Sequence, residues 1–549
     1  MLNMDRANRV MSRAVALLVL VFAGLSVGAL GQVAITTYHY DNYRTGWNYQ
    51  ESVLTPANVK PGSFGLLKTV ALDDQVDAQP LVVPGVVITA GKYRGTHDVV
   101  YVATENNTIY AIDIHTRTVL LKVNFGQPIG YPLGCGNNGP NVGINSTPVI
   151  DPGSNTLYVM VYTRNTKAQP IYLLHALDLG SLTDKVTPQL VSASHTLTDG
   201  STFTFNAKYQ RQRPGLLFAN GSIYAGFGSF CDLSANLSRG WLLGWTAATL
   251  APFPSNELFD QQATSPDSFF LSSIWMSGYG PAADDDGNIL FVTGNSDYSG
   301  TTYDGITNIQ ESVVKVSSTL TEVVDLFTPS NQAALDQSDA DFGSGGALVL
   351  PHQPGAIPHI AVAAGKDGNM YVMNEDNLGG YNPNQNNVLG TYSVGGCWCG
   401  QSYFVNSDGV ARVVSSGGSV AGIWKVQTSP QLALSLESVS PSLGGVQDPG
   451  FFTTISSNGT ASPIVWALSR PINSSPAAIR LSAYDPNSLK AGTMKQLFRA
   501  IAGVWPNLGG NSNLVPVVAD GHVFVASNGQ LKVFGLLGMG AKNSLTKTK

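Results

Sequence analysis

One pattern recurs along most of the chain: a short apolar run, followed by three further short strands separated by turns. In the clearest copy, Val99–Ala103 and the run "TIYAID" are strands joined by the turn "ENN". Seven further copies begin near the stretches "STPVIDPG", "RPGLLFANG", "GPAADDDG", "GGALVLPH", "YFVNSDG", "FFTTISSNG" and "VPVVADG". Such a unit cannot bury its faces alone, so a series of them indicates a β-propeller, in which neighbouring sheets pack around an axis.

Eight copies predict an all-β fold with a single eight-bladed β-propeller at residues 65–538. A seven-bladed ring is the alternative, because the sixth copy, "YFVNSDGVARVVSSGG", is weak. The last copy, "VPVVADGHVFVASNGQLKVFG", lacks an outer strand. Gly65–Asp73 precedes the first copy and is predicted to supply that strand, so that an N-terminal strand closes the ring.

The composition agrees with a fold of many strands and turns. Hydrophobic residues make up 43% of the 549 residues and charged residues only 12%, while glycine and proline number 59 and 30. The net charge of −6 and the lack of a basic stripe argue against a nucleic-acid partner. Because no G-x-S-x-G, H-E-x-x-H or phosphate-loop motif is present, neither a hydrolase nor a nucleotide-binding protein is indicated.

Residues 1–31 have the order of parts found in a signal peptide. Three arginines precede the apolar run Ala14–Val27, and a small-x-small cleavage site follows at Ala29–Gly31. An uncleaved membrane anchor is the alternative, but the run is short for a span. We expect a periplasmic or secreted protein with no membrane span after signal cleavage, an N-terminal arm at residues 32–64 and a disordered tail at residues 539–549.

The four cysteines are Cys135, Cys231, Cys397 and Cys399. An exported protein can oxidise them, but the sequence alone does not assign the pairing. The motif "GGCWCG" would form a strained ring if its two cysteines bonded to each other, and it lacks the spacing of a metal site. The cysteines are therefore interpreted as structural.

Two polar stretches need separate interpretations. In "IWMSGYGPAADDDGNILFVTGN", Ile274–Asn295, the glycine position does not match an EF-hand, so Asp284–Asp286 is predicted to be a solvated turn in the first hairpin of the fourth repeat. The run "YHYDNYRTGWN" follows the signal. One interpretation is that its side chains line the mouth of the propeller. In the interpretation we prefer, they hold the N-terminal arm across the blades by hydrogen bonds.

The repeat "VYVATENNTIYAID" resembles the pyrroloquinoline quinone (PQQ) propeller repeat, whose superfamily has eight blades. The stretches "RTGWNYQESVLTPANV", "GINSTPVID", "DADFGSGGALVLP" and "AAGKDGNMYVMNEDNLGGY" resemble a group of exported bacterial PQQ-binding-like propellers of unassigned activity. The enzymes of that superfamily are quinoprotein alcohol and sugar dehydrogenases, which hold PQQ and Ca²⁺ on the propeller axis. The resemblance implies the same fold for nearly all of the mature chain.

The resemblance also implies site residues. It assigns the calcium ligand to Asn295, the catalytic base to Asp341, quinone contacts to Asp77 and Lys366, and a stacking face to Trp275. Asp339 is the alternative base. Each of these residues also has an ordinary structural interpretation, such as a turn cap, a hairpin lysine or inter-blade packing, and packing is the prediction for most of the other tryptophans: Trp241, Trp245, Trp398 and Trp466.

Three features of the dehydrogenases are missing from the sequence. Cys135 is followed by Gly136 rather than by a second cysteine, and "VYTRNTKAQPIYLLHALD" has no counterpart of their calcium-binding glutamate. No C-x-x-C-H motif is present, so no haem is expected.

The sequence is therefore compatible with two functions. One is a PQQ- and calcium-dependent oxidoreductase acting on a small-molecule alcohol or sugar. The other is a non-catalytic scaffold that binds an envelope protein or a ligand. Convergence of the named side chains in one axial pocket would favour the enzyme.

Overall fold

The computed structural model describes residues 32–137, 139–263, 268–296, 302–444, 449–469, 477–507 and 512–538. The predicted signal peptide at 1–31 and tail at 539–549 lie outside these ranges and stay predictions. Among the described residues the longest helix is Gln332–Ser338, and none is long and apolar enough to span a membrane.

Eight antiparallel units of four strands can be traced through the described ranges, and they follow the predicted repeats in order. Units one to four have the strands Leu81–Ile88, Gly95–Thr104, Thr108–Asp113, Val119–Asn124; Val149–Asp151, Thr156–Arg164, Pro170–Asp178, Gln189–Leu190; Leu217–Ala219, Ser222–Phe227, Trp241–Thr246, Glu257–Leu258; and Ala282–Ala283, Ile289–Val292, Val313–Val316, Val323–Thr328.

Units five to eight have the strands Ala347–Leu350, Ile360–Ala364, Asn369–Asn374, Gly390–Ser393; Ser402–Val405, Ala411–Ser415, Gly422–Gln427, Ala433–Val439; Phe452–Asn458, Ala461–Ser469, Ala478–Lys490, Thr493–Val504; and Val517–Ala519, His522–Ser527, Gln530–Leu536, Phe64–Ala71. The shorter elements are the strands Trp47–Asn48, Ile129–Gly130, Asn141–Val142, Ser194–Thr196, Thr202–Thr204 and Gly380–Tyr381, and the 3-10 turns Pro132–Gly134, Met276–Gly278 and Phe342–Ser344.

The prediction that an N-terminal strand closes the ring is confirmed. Phe64–Ala71 pairs antiparallel with Gln530–Leu536 and completes the last unit. The weak sixth copy also forms a complete sheet, in which Ser402–Val405 pairs with Ala411–Ser415. The chain is therefore an all-β propeller, as the repeats predict.

Large side chains fill the spaces between units. Trp241 and Trp245 are buried in a cluster between the second and third units, and Trp466 is buried in one between the seventh and eighth. The packing interpretation is thus confirmed for these three tryptophans. Alternating strand residues contribute to clusters on both faces of a sheet, as a stacked ring of sheets requires.

Residues 35–48 of the arm hydrogen-bond to the first strand of every unit, in chain order. The bonds are Ile35 with Val82, Thr36 with Ile150, Asn42 with Phe218 and Ala283, Tyr43 with Val349, Thr45 with Tyr403, Gly46 with Ile455, and Asn48 with Val518. A segment this short spans at most about 50 Å. The eight first strands therefore surround a common axis, and the arm fills it.

The polar residues of the arm are tied to the blades, as the preferred interpretation predicts. Arg44 is fully buried and donates from Nε to the Pro281 carbonyl, at 2.8 Å, and from Nη1 to Thr37 Oγ1, at 2.7 Å. His39 is also fully buried, between the carbonyls of Arg44 and Thr453. Burial lowers the pKa of His39 to about 4, so the ring is neutral at physiological pH.

The predicted turn at Asp284–Asp286 is partly solvated. Ala282–Ala283 pairs with Ile289–Val292, which confirms the hairpin, and the second and third aspartates are exposed. Asp284 is instead buried and lies 3.5 Å from Lys315 Nζ. Its Oδ1 accepts the Asn288 N–H at 2.7 Å, so this aspartate closes the turn from inside.

Arg44→Met tests the arm. The substitution removes the donors to the carbonyls of Pro281 and Tyr38 and to the Thr37 hydroxyl, so we expect the free energy of unfolding to fall by about 2–4 kcal/mol. Denaturant titration followed by circular dichroism measures this change. Arg94→Met, at an exposed position, is the control and should change stability by less than about 0.5 kcal/mol. Equal effects of the two substitutions would contradict the role of the arm.

Candidate functional site

A pocket of about 270 Å³ opens at one end of the axis. Within each unit, the loop that leads into the first strand and the turn between the second and third strands lie at the same end, because the strands are antiparallel. These loops and turns therefore meet at one end of the axis. The residues that line the pocket, which we call the axial pocket, come from such loops: Asn137, Arg211, Arg213, Ser229, Cys231, Asp232, Trp275, Asp339, Asp341, Lys366, Trp398 and Asn513.

Two tryptophans form the aromatic walls of the axial pocket. The rings of Trp275 and Trp398 have centroids 6.1 Å apart and are nearly perpendicular, at 87°. Trp398 lies between Cys397 and Cys399, which are joined by a disulfide and are both fully buried. The small covalent loop fixes the backbone on both sides of Trp398, so the ring is presented from a rigid turn.

The second disulfide joins Cys135 to Cys231, and Cys231 lines the axial pocket. It connects the loop after the first unit to a turn of the third unit, across 96 residues of sequence. No cysteine in the described ranges is free. The structural interpretation of the cysteines therefore holds for both pairs, and one of them is also part of the pocket wall.

Lys366 and Asp341 form the central ion pair of the pocket. Lys366 Nζ donates to Asp341 Oδ2 at 2.6 Å and to the Asp339 carbonyl at 2.9 Å. Their side chains are 15% and 4% exposed, respectively, whereas Asp339 is 70% exposed at the mouth. Burial lowers the pKa of Lys366, but the two carboxylates outweigh burial and raise it overall, so the ammonium is retained.

The backbone around this pair is fixed by two short elements. The helix Gln332–Ser338 ends at Asp339, which has a left-handed φ of 52°. The Lys366 N–H, in the turn between two strands of the fifth unit, donates to the Asp341 carbonyl at 3.0 Å. The two loops that carry the ion pair are therefore bonded to each other through main chain as well as side chains.

Gly294 and Asn295 hold Asp341 from the other side. Asp341 Oδ1 accepts the Asn295 N–H at 2.8 Å, and the Asn295 amide donates to Asp339 Oδ1 at 3.1 Å. A Cβ atom on Gly294 would lie 2.5 Å from Asp341 Oδ1 and 3.1 Å from Trp275 Nε1. Only glycine allows the carboxylate and the indole to come this close.

Two arginines line the deeper wall, and both are buried. Arg211 donates from Nη2 to Asn145 Oδ1 at 2.9 Å, and Arg213 Nη2 lies 3.9 Å from Asp77 Oδ1. Burial, together with the charge of Arg213, lowers the pKa of Arg211 to about 10, which still leaves it charged at neutral pH. Asp77 is thus located directly behind the pocket wall.

Two further buried carboxyls support the site without lining it. Burial first, and then the charge of Asp77, raises the pKa of Glu105 well above its usual value. Burial and the charge of Asp341 do the same for Glu311, which accepts the Phe342 N–H. Both shifts favour the neutral form of these two glutamates. The three cationic side chains of the pocket, Arg211, Arg213 and Lys366, therefore face mainly Asp77 and Asp341 in the interior.

The structure brings the predicted site residues together. Trp275, Asp341 and Lys366 line the axial pocket, Asn295 bonds to Asp341, and Asp77 faces Arg213. The roles assigned to them stay predictions.

Sequence reasoning missed several pocket residues, chiefly Arg211, Arg213 and the Cys135–Cys231 disulfide. A signal for the arginines exists in "QRQRPGLLFA": two arginines two residues apart, on one side of extended chain, immediately before the first strand of a repeat.

A calcium ion of the kind the resemblance implies does not fit these side chains. Ca²⁺ takes six to eight oxygen ligands, and no group of three or more His, Cys, Asp or Glu residues in the described ranges could hold a metal. The Lys366 ammonium already pairs with Asp341, the carboxylate that accepts a hydrogen bond from the Asn295 N–H. Asn295 as a metal ligand therefore stays a prediction that this donor set does not favour.

A flat anionic molecule such as PQQ fits the side chains better. The indole face of either Trp275 or Trp398 can stack on planar rings. Arg211, Arg213 and Lys366 bind carboxylates, and the two guanidinium groups can do so with paired N–H donors. The volume is near the lower end of ligand pockets, roughly 300–1,000 Å³.

No family model and no curated protein sequence matches the chain. Among solved structures, the quinohemoprotein alcohol dehydrogenase ADHIIG from Pseudomonas putida HK5 is similar, with a TM-score of 0.58 and 15% identity, over 92% of this chain and 80% of that one. A europium-containing methanol dehydrogenase is similar with a TM-score of 0.55 and 10% identity, over 92% of this chain and 98% of that one. Identities this low concern the fold alone, and they show a β-propeller fold similar to that of these two dehydrogenases.

Gly294→Ala tests the close packing at the site. The added Cβ must displace Asp341 or Trp275, so we expect a loss of about 1–3 kcal/mol in the free energy of unfolding. Gly130→Ala is the matched control, because its Cβ would meet only the Pro140 carbonyl, at 3.8 Å. Thermal and denaturant unfolding of both variants measure the difference. A Gly294→Ala protein as stable as the control would show that the carboxylate is not held where the structure places it.

Proposed function

We propose that the axial pocket binds PQQ or a closely related planar polycarboxylate, and that the protein is an exported quinoprotein-type oxidoreductase for a small alcohol or sugar. The observation that carries the proposal is the meeting of two indole faces, three cationic side chains and a buried carboxylate in one pocket. A scaffold without a small-molecule ligand would have no need of buried charges that face a cavity, because such charges cost stability.

The residues have separate tasks in this proposal. One of the two perpendicular indoles, Trp275 or Trp398, stacks on the planar rings and the other meets their edge, while Arg211 and Arg213 bind carboxylate groups and fix the orientation. A bound quinone supplies a two-electron acceptor. Asp341 accepts the proton of the substrate hydroxyl, for which each of its oxygens retains a second lone pair beside its present hydrogen bond.

Lys366 supplies the positive charge that a metal ion supplies in a calcium site. Its ammonium lies 2.6 Å from Asp341 Oδ2 and 5.1 Å from the centre of the Trp398 ring, so it faces the same space as the proposed ligand. It pairs with Asp341 and places a positive charge where an anionic ligand would bind. The proposed binding is therefore independent of added calcium.

Equilibrium dialysis of PQQ against the purified protein tests the binding step. We expect a dissociation constant in the micromolar range that chelation of divalent cations changes by less than about twofold. Arg213→Met and Lys366→Met should each weaken binding at least about tenfold, by the loss of a charged hydrogen bond. Arg94→Met, outside the pocket, should leave it unchanged. An absence of binding with and without calcium would favour the scaffold instead.

Dye-linked oxidation of simple alcohols and sugars by the PQQ-loaded protein tests the catalytic step. Asp341→Asn should lower the rate about 100-fold or more, because the amide cannot accept the proton. Asp339→Asn is the matched control: Asp339 is the alternative base, but it lies exposed at the mouth and should retain most of the rate. A reversed order of the two variants would move the base to Asp339.

A further inference from the structure

A second cavity lies between the third and fourth units, outside the axial pocket. Its volume is about 860 Å³, and it is walled by the hairpin strand Ser194–Thr196, the outer strand Glu257–Leu258 and the outer strand Val323–Thr328. It shares no lining residue with the axial pocket. The proposed quinone site therefore does not account for it.

Glu257 is the most informative residue of this cavity. It lines the cavity, is only 8% exposed, and its carboxyl group receives no hydrogen bond or ion pair from any described residue. Most other buried carboxyl groups among the described residues have at least one partner, as Asp284 has in Lys315. A buried carboxyl that faces open space without a partner is costly and indicates a site for a complementary group.

The remaining lining residues indicate the charge of that group. Glu322 and Asp325 also line the cavity, and no lysine or arginine does so in the described part of the chain. Asp325 is engaged, because its two oxygens accept the Leu326 and Leu378 N–H groups. The described lining thus has two carboxyl groups available to a ligand, and its one basic side chain, His195, is hydrogen-bonded through Nδ1 to Asn256 Oδ1 at 3.2 Å.

Part of the cavity wall is apolar. Ile306 is 75% exposed at the rim, and Ile309, Leu320 and Leu326 continue the surface inward. No Phe, Tyr or Trp among the described residues lines the cavity, where the only aromatic ring is the His195 imidazole. The stacking platform that sugars use, and the aromatic cage typical of quaternary ammonium ligands, are therefore missing from these walls.

We infer that this cavity binds a primary organic ammonium ion, with its cationic head at Glu257 and its aliphatic part against Ile306 and Leu320. A primary ammonium donates three hydrogen bonds and so satisfies the unpartnered carboxyl. Burial raises the pKa of Glu257 to about 7, so a neighbouring cation would favour its charged form at neutral pH. The inference does not depend on quinone binding.

Isothermal titration calorimetry with three six-carbon probes tests the inference. n-Hexylammonium should bind at least about tenfold more tightly than n-hexanol or hexanoate, which share the chain but not the charge. Glu257→Gln should weaken n-hexylammonium binding at least about tenfold, while Asp286→Asn, in an exposed turn, should leave it unchanged. Equal binding of the ammonium and the alcohol, or an unchanged Glu257→Gln protein, would overturn the inference.

Ile306→Lys provides a second variant that does not disturb the interior. The side chain is exposed, so the fold should be retained, and the new cation at the rim should repel the probe. We expect n-hexylammonium binding to weaken at least about tenfold. Retention of full affinity by this variant would also count against the site.

Discussion

The hydrogen bonds between residues 35–48 and the first strands of all eight units are the interaction on which the rest of the structure depends. A sheet edge presents N–H and C=O groups that cost free energy when buried without partners. The arm supplies partners at eight such edges and buries Arg44 and His39 among them. The axis is therefore filled by the chain itself, and the strand Phe64–Ala71 closes the ring.

The geometry of the axial pocket depends on the packing of the arm along the axis. Tyr279 donates to the Arg44 carbonyl at 2.9 Å, and four residues earlier Trp275 forms a wall of the pocket. A Cβ atom on Gly346 or Gly400 would lie 1.9 or 2.0 Å from the Tyr279 ring, so neither position admits a side chain. The arm, the tyrosine and the indole thus form one continuous packed column, in which rigid support fixes the groups that would face a ligand.

The sequence predicts more of the fold than of the site. Alternating strands and turns at a regular interval specify the repeats, and an incomplete last repeat specifies the closing strand. Asp341 and Lys366 were found through a family resemblance, but their pairing was not, because it joins two loops whose residues are 25 positions apart and that no local pattern relates. For the same reason, no local pattern predicts that Arg211 and Arg213 line the pocket, or that a lysine rather than a metal ion pairs with Asp341.

The central claim is that a pocket above the filled axis binds a flat anion without calcium. A crystal structure of the protein grown with PQQ and a chelator measures this most directly. The account predicts quinone density in the axial pocket, in contact with Trp275 and Lys366, no metal beside Asp341, and residues 35–48 in place along the axis. An empty pocket, a quinone bound elsewhere, or a metal ion displacing Lys366 from Asp341 would contradict it.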